Sequence, residues 1–199
     1  MKLKKFLTYV LFVIINVTIN NNSYSIEPDV FVQSTVNRAS KVLGDDLSKN
    51  QKIKKLKSIA AETVDVRGIG MYTLGSYRKV LSDDQKKEYD TLFVQYFLKT
   101  FSSRLAEYSN PEIEVKSKEK LNENYTMVSS SLIATEQRPE VKIDWRIYTK
   151  NPDNLKIRDL IIEGLSLART QKEEFSSIIQ SNDGDINALF VTLKEFIDK

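Results

Sequence analysis

Val141-Lys142-Ile143-Asp144-Trp145-Arg146-Ile147-Tyr148 alternates apolar and polar side chains over eight positions. Successive side chains on a pleated strand point to opposite sides, so a period of two marks a strand with one dry and one wet face. Ile143, Trp145 and Ile147 form the dry face. The same period extends outward in both directions. Upstream, Ile113, Val115 and Ser117 alternate with Glu112, Glu114, Lys116 and Lys118, and Tyr125 to Thr135 places Val128 and Leu132 on one face. Downstream, Leu155 to Leu167 reads as the last strand. Asn122-Glu123-Asn124, Glu136 to Glu140 and Asn151-Pro152-Asp153-Asn154 are the connections, the last a strong turn sequence. Four strands joined this way imply an antiparallel sheet with one face toward helices.

Helical periodicity lies on either side. Val32, Val36, Ala39 and Leu43 make one stripe, which Gly44-Asp45-Asp46 ends. Ile53, Leu56 and Ile59 belong to a second helix, with Lys52, Lys54, Lys55 and Lys57 as its solvated face. Thr63 to Leu81 keeps rough helical spacing through Val66, Ile69, Leu74 and Tyr77, but holds Gly68, Gly70 and Gly75. An interior glycine costs a helix ~1 kcal/mol relative to alanine, so close packing or room for a ligand should compensate. Ser82-Asp83-Asp84-Gln85 is a capping box that opens the strongest helix of the chain. Tyr89, Leu92, Phe93, Tyr96, Phe97, Phe101, Leu105 and Tyr108 line one broad face of it, and Asn110-Pro111 stops it. After the sheet, Thr170-Gln171-Lys172-Glu173 reads as another capping box, and Asp185 caps a final helix carrying Ile186, Leu189, Phe190, Leu193 and Ile197. The fold class is α+β: helices packed on one face of a curved four-stranded antiparallel sheet, enclosing an apolar cavity.

Residues 1–25 read as a secretory signal peptide. Lys2, Lys4 and Lys5 precede an apolar stretch from Phe6 to Ile19, and Ser23-Tyr24-Ser25 supplies small residues before a cleavage site. Fourteen helical residues reach only ~21 Å, short of a ~30 Å hydrocarbon core. The segment holds three of the 30 basic residues and none of the 27 acidic ones, so residues 26–199 carry 27 of each and no net charge. That balance is no basis for nucleic acid binding. One domain is expected over 26–199. The chain has no Cys and no His, which removes disulfides, thiolate chemistry, the Ser-His-Asp triad and the usual zinc ligands.

Leu74-Gly75-Ser76-Tyr77-Arg78, Leu81-Ser82-Asp83-Asp84-Gln85, Phe93 and Tyr108 together resemble the toluene-tolerance, or MlaC, family of exported phospholipid-binding proteins. Val141 to Tyr148 is similar to that family's V-x-V-D-W-R-V-Y strand. Lys156-Ile157-Arg158-Asp159-Leu160-Ile161-Ile162-Glu163-Gly164-Leu165-Ser166-Leu167 is similar to its K-I-x-D-V-x-V-E-G-V-S-L segment, and Arg169, Phe175, Ile178, Ile179, Gly184 and Leu189 continue the likeness. The resemblance implies a periplasmic carrier that holds a glycerophospholipid as cargo and needs no cofactor. It also implies hand-over between an outer-membrane lipoprotein complex and an inner-membrane ABC transporter with a substrate-binding ring protein. Val64 and Val66 stand where large aromatics are frequent in the family, which implies an altered pocket.

Strand parity and helix faces nominate the residues of a lipid slot. From the helices these are Val66, Leu74, Tyr77, Phe93, Phe97 and Phe101. From the sheet they are Val128, Leu132, Ile143, Trp145 and Ile147, with Leu160 and Ile162 from the last strand. Ordinary core packing is the competing role for each of them. Asp144, Arg146 and Glu163 fall on the opposite parity and read as sheet-surface ion pairs or a docking patch. Two rivals to a carrier stay open. One is an exported enzyme using Asp144 or Asp159 with Tyr148, both acids being of wet-face type. The other is a ligand-free structural subunit of a cell-envelope complex.

Overall fold

The computed structural model describes residues 26–108, 111–136 and 138–199. The export signal expected at 1–25 lies outside the described residues. Helices α1 (Pro28–Gly44), α2 (Lys49–Thr63), α3 (Val66–Thr73) and α4 (Asp83–Leu105) come first, with a single 3-10 turn at Tyr77–Lys79. Strands β1 (Ile113–Asn122), β2 (Tyr125–Leu132), β3 (Val141–Tyr148), β4 (Lys156–Ile162) and β5 (Leu165–Ser166) follow, then α5 (Leu167–Gln180) and α6 (Ile186–Asp198). The sheet is an antiparallel meander in the order β1-β2-β3-β4-β5. The α+β architecture is the expected one. The sheet has five strands where four were expected.

The extra strand comes from a turn at Glu163-Gly164, between two short apolar stretches. Leu155 to Leu167 does not continue as one strand, because Glu163 and Gly164 both have positive φ, 49° and 81°. Two consecutive residues in that region make the tight hairpin turn whose twist suits paired strands. The Lys142 backbone N–H donates to the Glu163 carboxylate and helps hold this strained residue. β5 then pairs back onto β4, and α5 begins at once. Its cap is Ser166, whose hydroxyl accepts from the Arg169 N–H at 3.1 Å, so the capping box read at Thr170 is a misplacement of the helix start.

The capping box of α4 forms as read. The Gln85 N–H donates to Ser82 Oγ at 3.2 Å, and the Ser82 N–H donates to Gln85 Oε1 at 3.0 Å. α2 carries an equivalent box between Ser48 and Gln51. The glycine-broken stretch resolves into the short α3 and the 3-10 turn. Asp65 opens α3 by accepting from the Gly68 N–H at 2.9 Å, while its own N–H donates to Ile157 O at 3.0 Å and ties the helix to β4. At Gly70 an added Cβ would lie 2.7 Å from Phe93 Cδ1. Close packing of α3 on α4 is therefore what that glycine provides.

One core joins the helices to the dry face of the sheet. Val32, Tyr89, Phe93, Val128, Ile147 and Leu189 are each at most 1% exposed. Tyr89 is wholly buried, with its hydroxyl 2.8 Å from Thr73 Oγ1, and Thr73 in turn donates to Gly70 O. Burial pushes the Tyr89 phenol well above its ordinary pKa, and the Thr73 contact only partly offsets that.

Candidate functional site

The aromatic face of α4 divides along its length. Tyr89 and Phe93 enter the core, while Tyr96, Phe97 and Phe101 remain half-buried. Phe97 and Phe101 stack with centroids 5.6 Å apart and planes 10° from parallel, and Phe93 lies 6.1 Å from Phe97. These rings do not run out of partners by accident of the surface. They form one wall of a cleft of about 320 Å³.

Three elements build that cleft. Phe93, Phe97 and Phe101 sit at i, i+4 and i+8 and so share one edge of α4. Trp145 from β3 and Ile157 and Leu160 from β4 form the floor. Their alignment depends on a bulge: Trp145 pairs with Leu160 and Ile147 with Ile157, leaving Arg158 as the extra residue. The indole N–H of Trp145 donates to Ser130 Oγ at 2.8 Å, which removes its only polar demand and leaves the ring as apolar surface. Val64 and Ile69 close one end, and Leu167 and Ala168 at the start of α5 close the side.

A polar lip runs beside this wall. Tyr96, Thr100 and Arg104 follow the same i, i+4, i+8 spacing one residue short of the aromatic edge, and they face Thr170, Gln171 and Glu174 of α5. The Tyr96 hydroxyl donates to Gln171 Oε1 at 2.9 Å, and the Gln171 amide donates to Glu174 Oε2 at 2.9 Å. Burial first, and the Glu174 charge second, raise the Tyr96 phenol above its usual pKa. The Thr100 hydroxyl is near Tyr96 but makes no well-formed hydrogen bond. The cleft is thus amphipathic, with a greasy floor and a polar edge.

A second hollow of about 390 Å³ lies behind a partition of Ile69, Asp159 and Ala168, which line both spaces. Arg146 and Arg158 line it, but each has a neutralising neighbour. Arg146 Nη1 is 3.7 Å from Asp159 Oδ2. Arg158 Nε is 2.5 Å from Asp65 Oδ2, though not aligned as a hydrogen bond, and its guanidinium lies 4.7 Å from the centre of the Tyr148 ring.

Of the thirteen nominated slot residues, Phe93, Phe97, Phe101, Trp145 and Leu160 come together around the cleft. Val66, Leu74, Val128, Leu132, Ile143 and Ile147 are buried in the core away from it. Tyr77 is half-buried against that core, and Ile162 is half-buried at the end of β4, paired with Ile143. Sequence reasoning missed Ile157 and the whole α5 side of the lip. The helix spacing of Tyr96, Thr100 and Arg104 was a signal for their half of it.

Asp159 corrects the wet-face reading of that acid. It is 4% exposed, covered by Ser166 of β5 and Ala168 at the start of α5. Its carboxylate accepts from the Ala168 N–H at 3.0 Å and from Ser166 Oγ at 2.6 Å. It therefore anchors the helix start, where a negative charge also suits the helix dipole. Asp144 accepts from Ser129 Oγ at 2.6 Å and pairs with Lys142 Nζ at 3.1 Å. Both acids of the enzyme reading are thus engaged in structural contacts. Among the described residues no cluster of acids suits a metal ion, and no helix is long and apolar enough to cross a membrane.

A phospholipid-binding protein from Ralstonia solanacearum, solved in complex with a phospholipid, has the same fold. It superposes with a TM-score of 0.72 at 20% identity, covering 87% of this chain and 98% of that one. The family model described as MlaC protein matches residues 33–195, spanning all the walls of the cleft. This chain belongs to the MlaC family.

Proposed function

We propose that residues 26–199 form a single, non-catalytic lipid-binding domain that carries a glycerophospholipid through the periplasm after signal cleavage. In this reading the acyl chains lie in the cleft between α4, α5 and the sheet, and the head group stays in water. The carrier receives and delivers its cargo between an outer-membrane lipoprotein complex and an inner-membrane ABC transporter with its substrate-binding ring protein, maintaining the lipid asymmetry of the outer membrane. The observation that carries the proposal is the cleft itself: Phe97, Phe101, Trp145 and Leu160 face open space where a closed core would place more side chains. Family membership and the phospholipid complex of the Ralstonia protein support it.

The energetics fit a carrier. Two chains of about sixteen methylenes, at ~0.8 kcal/mol each, draw roughly 25 kcal/mol from leaving water. A bilayer offers the same, so the protein need only match it. The cleft must also widen. A methylene takes about the ~30 Å³ share of a water molecule, so 320 Å³ houses about eleven of the thirty-two. Loading therefore requires α4 and α5 to move off the sheet, or the partition at Ile69 and Ala168 to open into the second hollow. Native mass spectrometry of protein purified without detergent tests the proposal. One diacyl phospholipid per chain is expected; a uniformly empty, folded chain that takes up none from vesicles would refute it.

A further inference from the structure

The lysine face of α2 plays no part in the cleft. Residues 38–57 hold seven of the 27 basic residues of 26–199 and two of the 27 acidic ones, Asp45 and Asp46, so the rest carries an excess of five acids. A stretch with no net charge is thus polarised, its positive side at the end of α1 and on α2. Lys49, Lys54 and Lys55 are exposed and Lys57 is half-buried. None of the four has an acid within ion-pairing distance among the described residues. Lysines elsewhere do take acids: Lys118 lies 2.8 Å from both Glu27 and Asp29, and Lys194 lies 2.7 Å from Glu88. Glu62, the only acid on α2, is taken by Arg38 at 2.6 Å. Lys52 is used internally, donating to Leu43 O at 2.8 Å.

We propose that this face docks on an anionic bilayer surface. What it lacks decides the partner. Between the lysines the exposed residues of α2 are Asn50, Gln51, Ser58, Ala61 and Glu62, with no aromatic, no arginine and no large apolar side chain. Protein interfaces are built on buried apolar or aromatic anchors and are poor in lysine. A lipid surface needs no anchor: each lysine brought near anionic head groups raises partitioning about fivefold. The acid excess on the rest of the molecule is repelled by the same surface, so the protein lands with α2 facing it. α2 leads directly into Val64 at one end of the cleft, so docking brings the cleft close to the lipid surface. The contact itself does not rest on the carrier reading.

Flotation of residues 26–199 with vesicles of phosphatidylcholine, alone or mixed with phosphatidylglycerol, tests the proposal. Wild type is expected to float with the mixed vesicles at ~0.01 M salt and to leave them at ~1 M, where the screening length falls from about 30 Å to about 3 Å. Pure phosphatidylcholine should not hold it at either. Lys54→Gln combined with Lys55→Gln should lower partitioning about twentyfold, while glutamine keeps the helix propensity of lysine. Lys116→Gln combined with Lys120→Gln removes the same charge from β1 and should lower it by less than about fivefold, the share of one lysine. No flotation at low salt, the result an acidic protein partner would give, overturns the proposal. So does an equal loss in the two double variants. Phospholipid retained by Lys54→Gln/Lys55→Gln, read by native mass spectrometry, should match wild type, so the carrier reading stands or falls on a separate signal.

Discussion

Replacing Phe97 with Asp puts a carboxylate into the wall of the cleft without touching the sealed core. Phe97 is half-buried and packs chiefly on Phe93 and Phe101. The hydrocarbon that the cleft houses, about eleven methylenes in 320 Å³, is worth ~9 kcal/mol at ~0.8 kcal/mol each. Phe97→Asp removes one side of the contact. It also forces the carboxylate either to desolvate against the chain, at several kcal/mol, or to swing to the lip and admit water. Either route costs at least ~3 kcal/mol of binding, more than a hundredfold in affinity. Phe97→Leu, which keeps the wall apolar, should stay within about tenfold. The assay is displacement of a fluorescent acyl-chain probe from delipidated protein, with circular dichroism to confirm the fold. A folded Phe97→Asp protein that binds within tenfold of wild type would refute the placement of the chains. Leu132→Asp is no substitute, since Leu132 is a 7% exposed core residue and its change should unfold the domain.

Three further outcomes follow from the packing. Asp159→Ala leaves the Ala168 N–H and the Ser166 hydroxyl without their acceptor; a loss of ~2–5 kcal/mol is expected, seen as a Tm drop of roughly 4–20 °C in a thermal melt. Gly70→Ala drives a methyl to within 2.7 Å of Phe93, and should cost ~1–3 kcal/mol by urea titration. Tyr89 keeps its proton more tightly folded than unfolded, so its contribution is complete below its ordinary pKa of 10.0 and is lost as pH climbs above it. An ultraviolet titration should show this phenol ionising only with alkaline unfolding.

The period-two strands, the Ser82 box and the helix stripes were legible because each is a local pattern of side-chain alternation. Ile161, Ile162, Leu165 and Leu167 flank Glu163-Gly164, and the apolar residues on both sides carried the strand reading through a glycine that marks the turn and past Ser166, which already caps α5. That one error hid Thr170, Gln171 and Glu174 from the cleft and left Asp159 looking solvent-facing. The bulge at Arg158 is silent in sequence, yet it aligns Ile157 with Leu160. Strand parity also cannot separate core from cavity wall. Val128 and Ile147 share the dry face with Trp145, but α-helical side chains cover the first two fully and leave the indole beside open space.

The most direct measurement uses a phosphatidylethanolamine carrying a photoreactive group midway along one acyl chain, loaded into residues 26–199 and irradiated. Cross-links mapped by peptide mass spectrometry are predicted on the Phe93 to Phe101 segment of α4 and on the strands bearing Trp145 and Leu160. Cross-links confined to the outer face of the sheet, or to α1 and α2, would contradict a hydrocarbon chain lodged between α4 and the sheet.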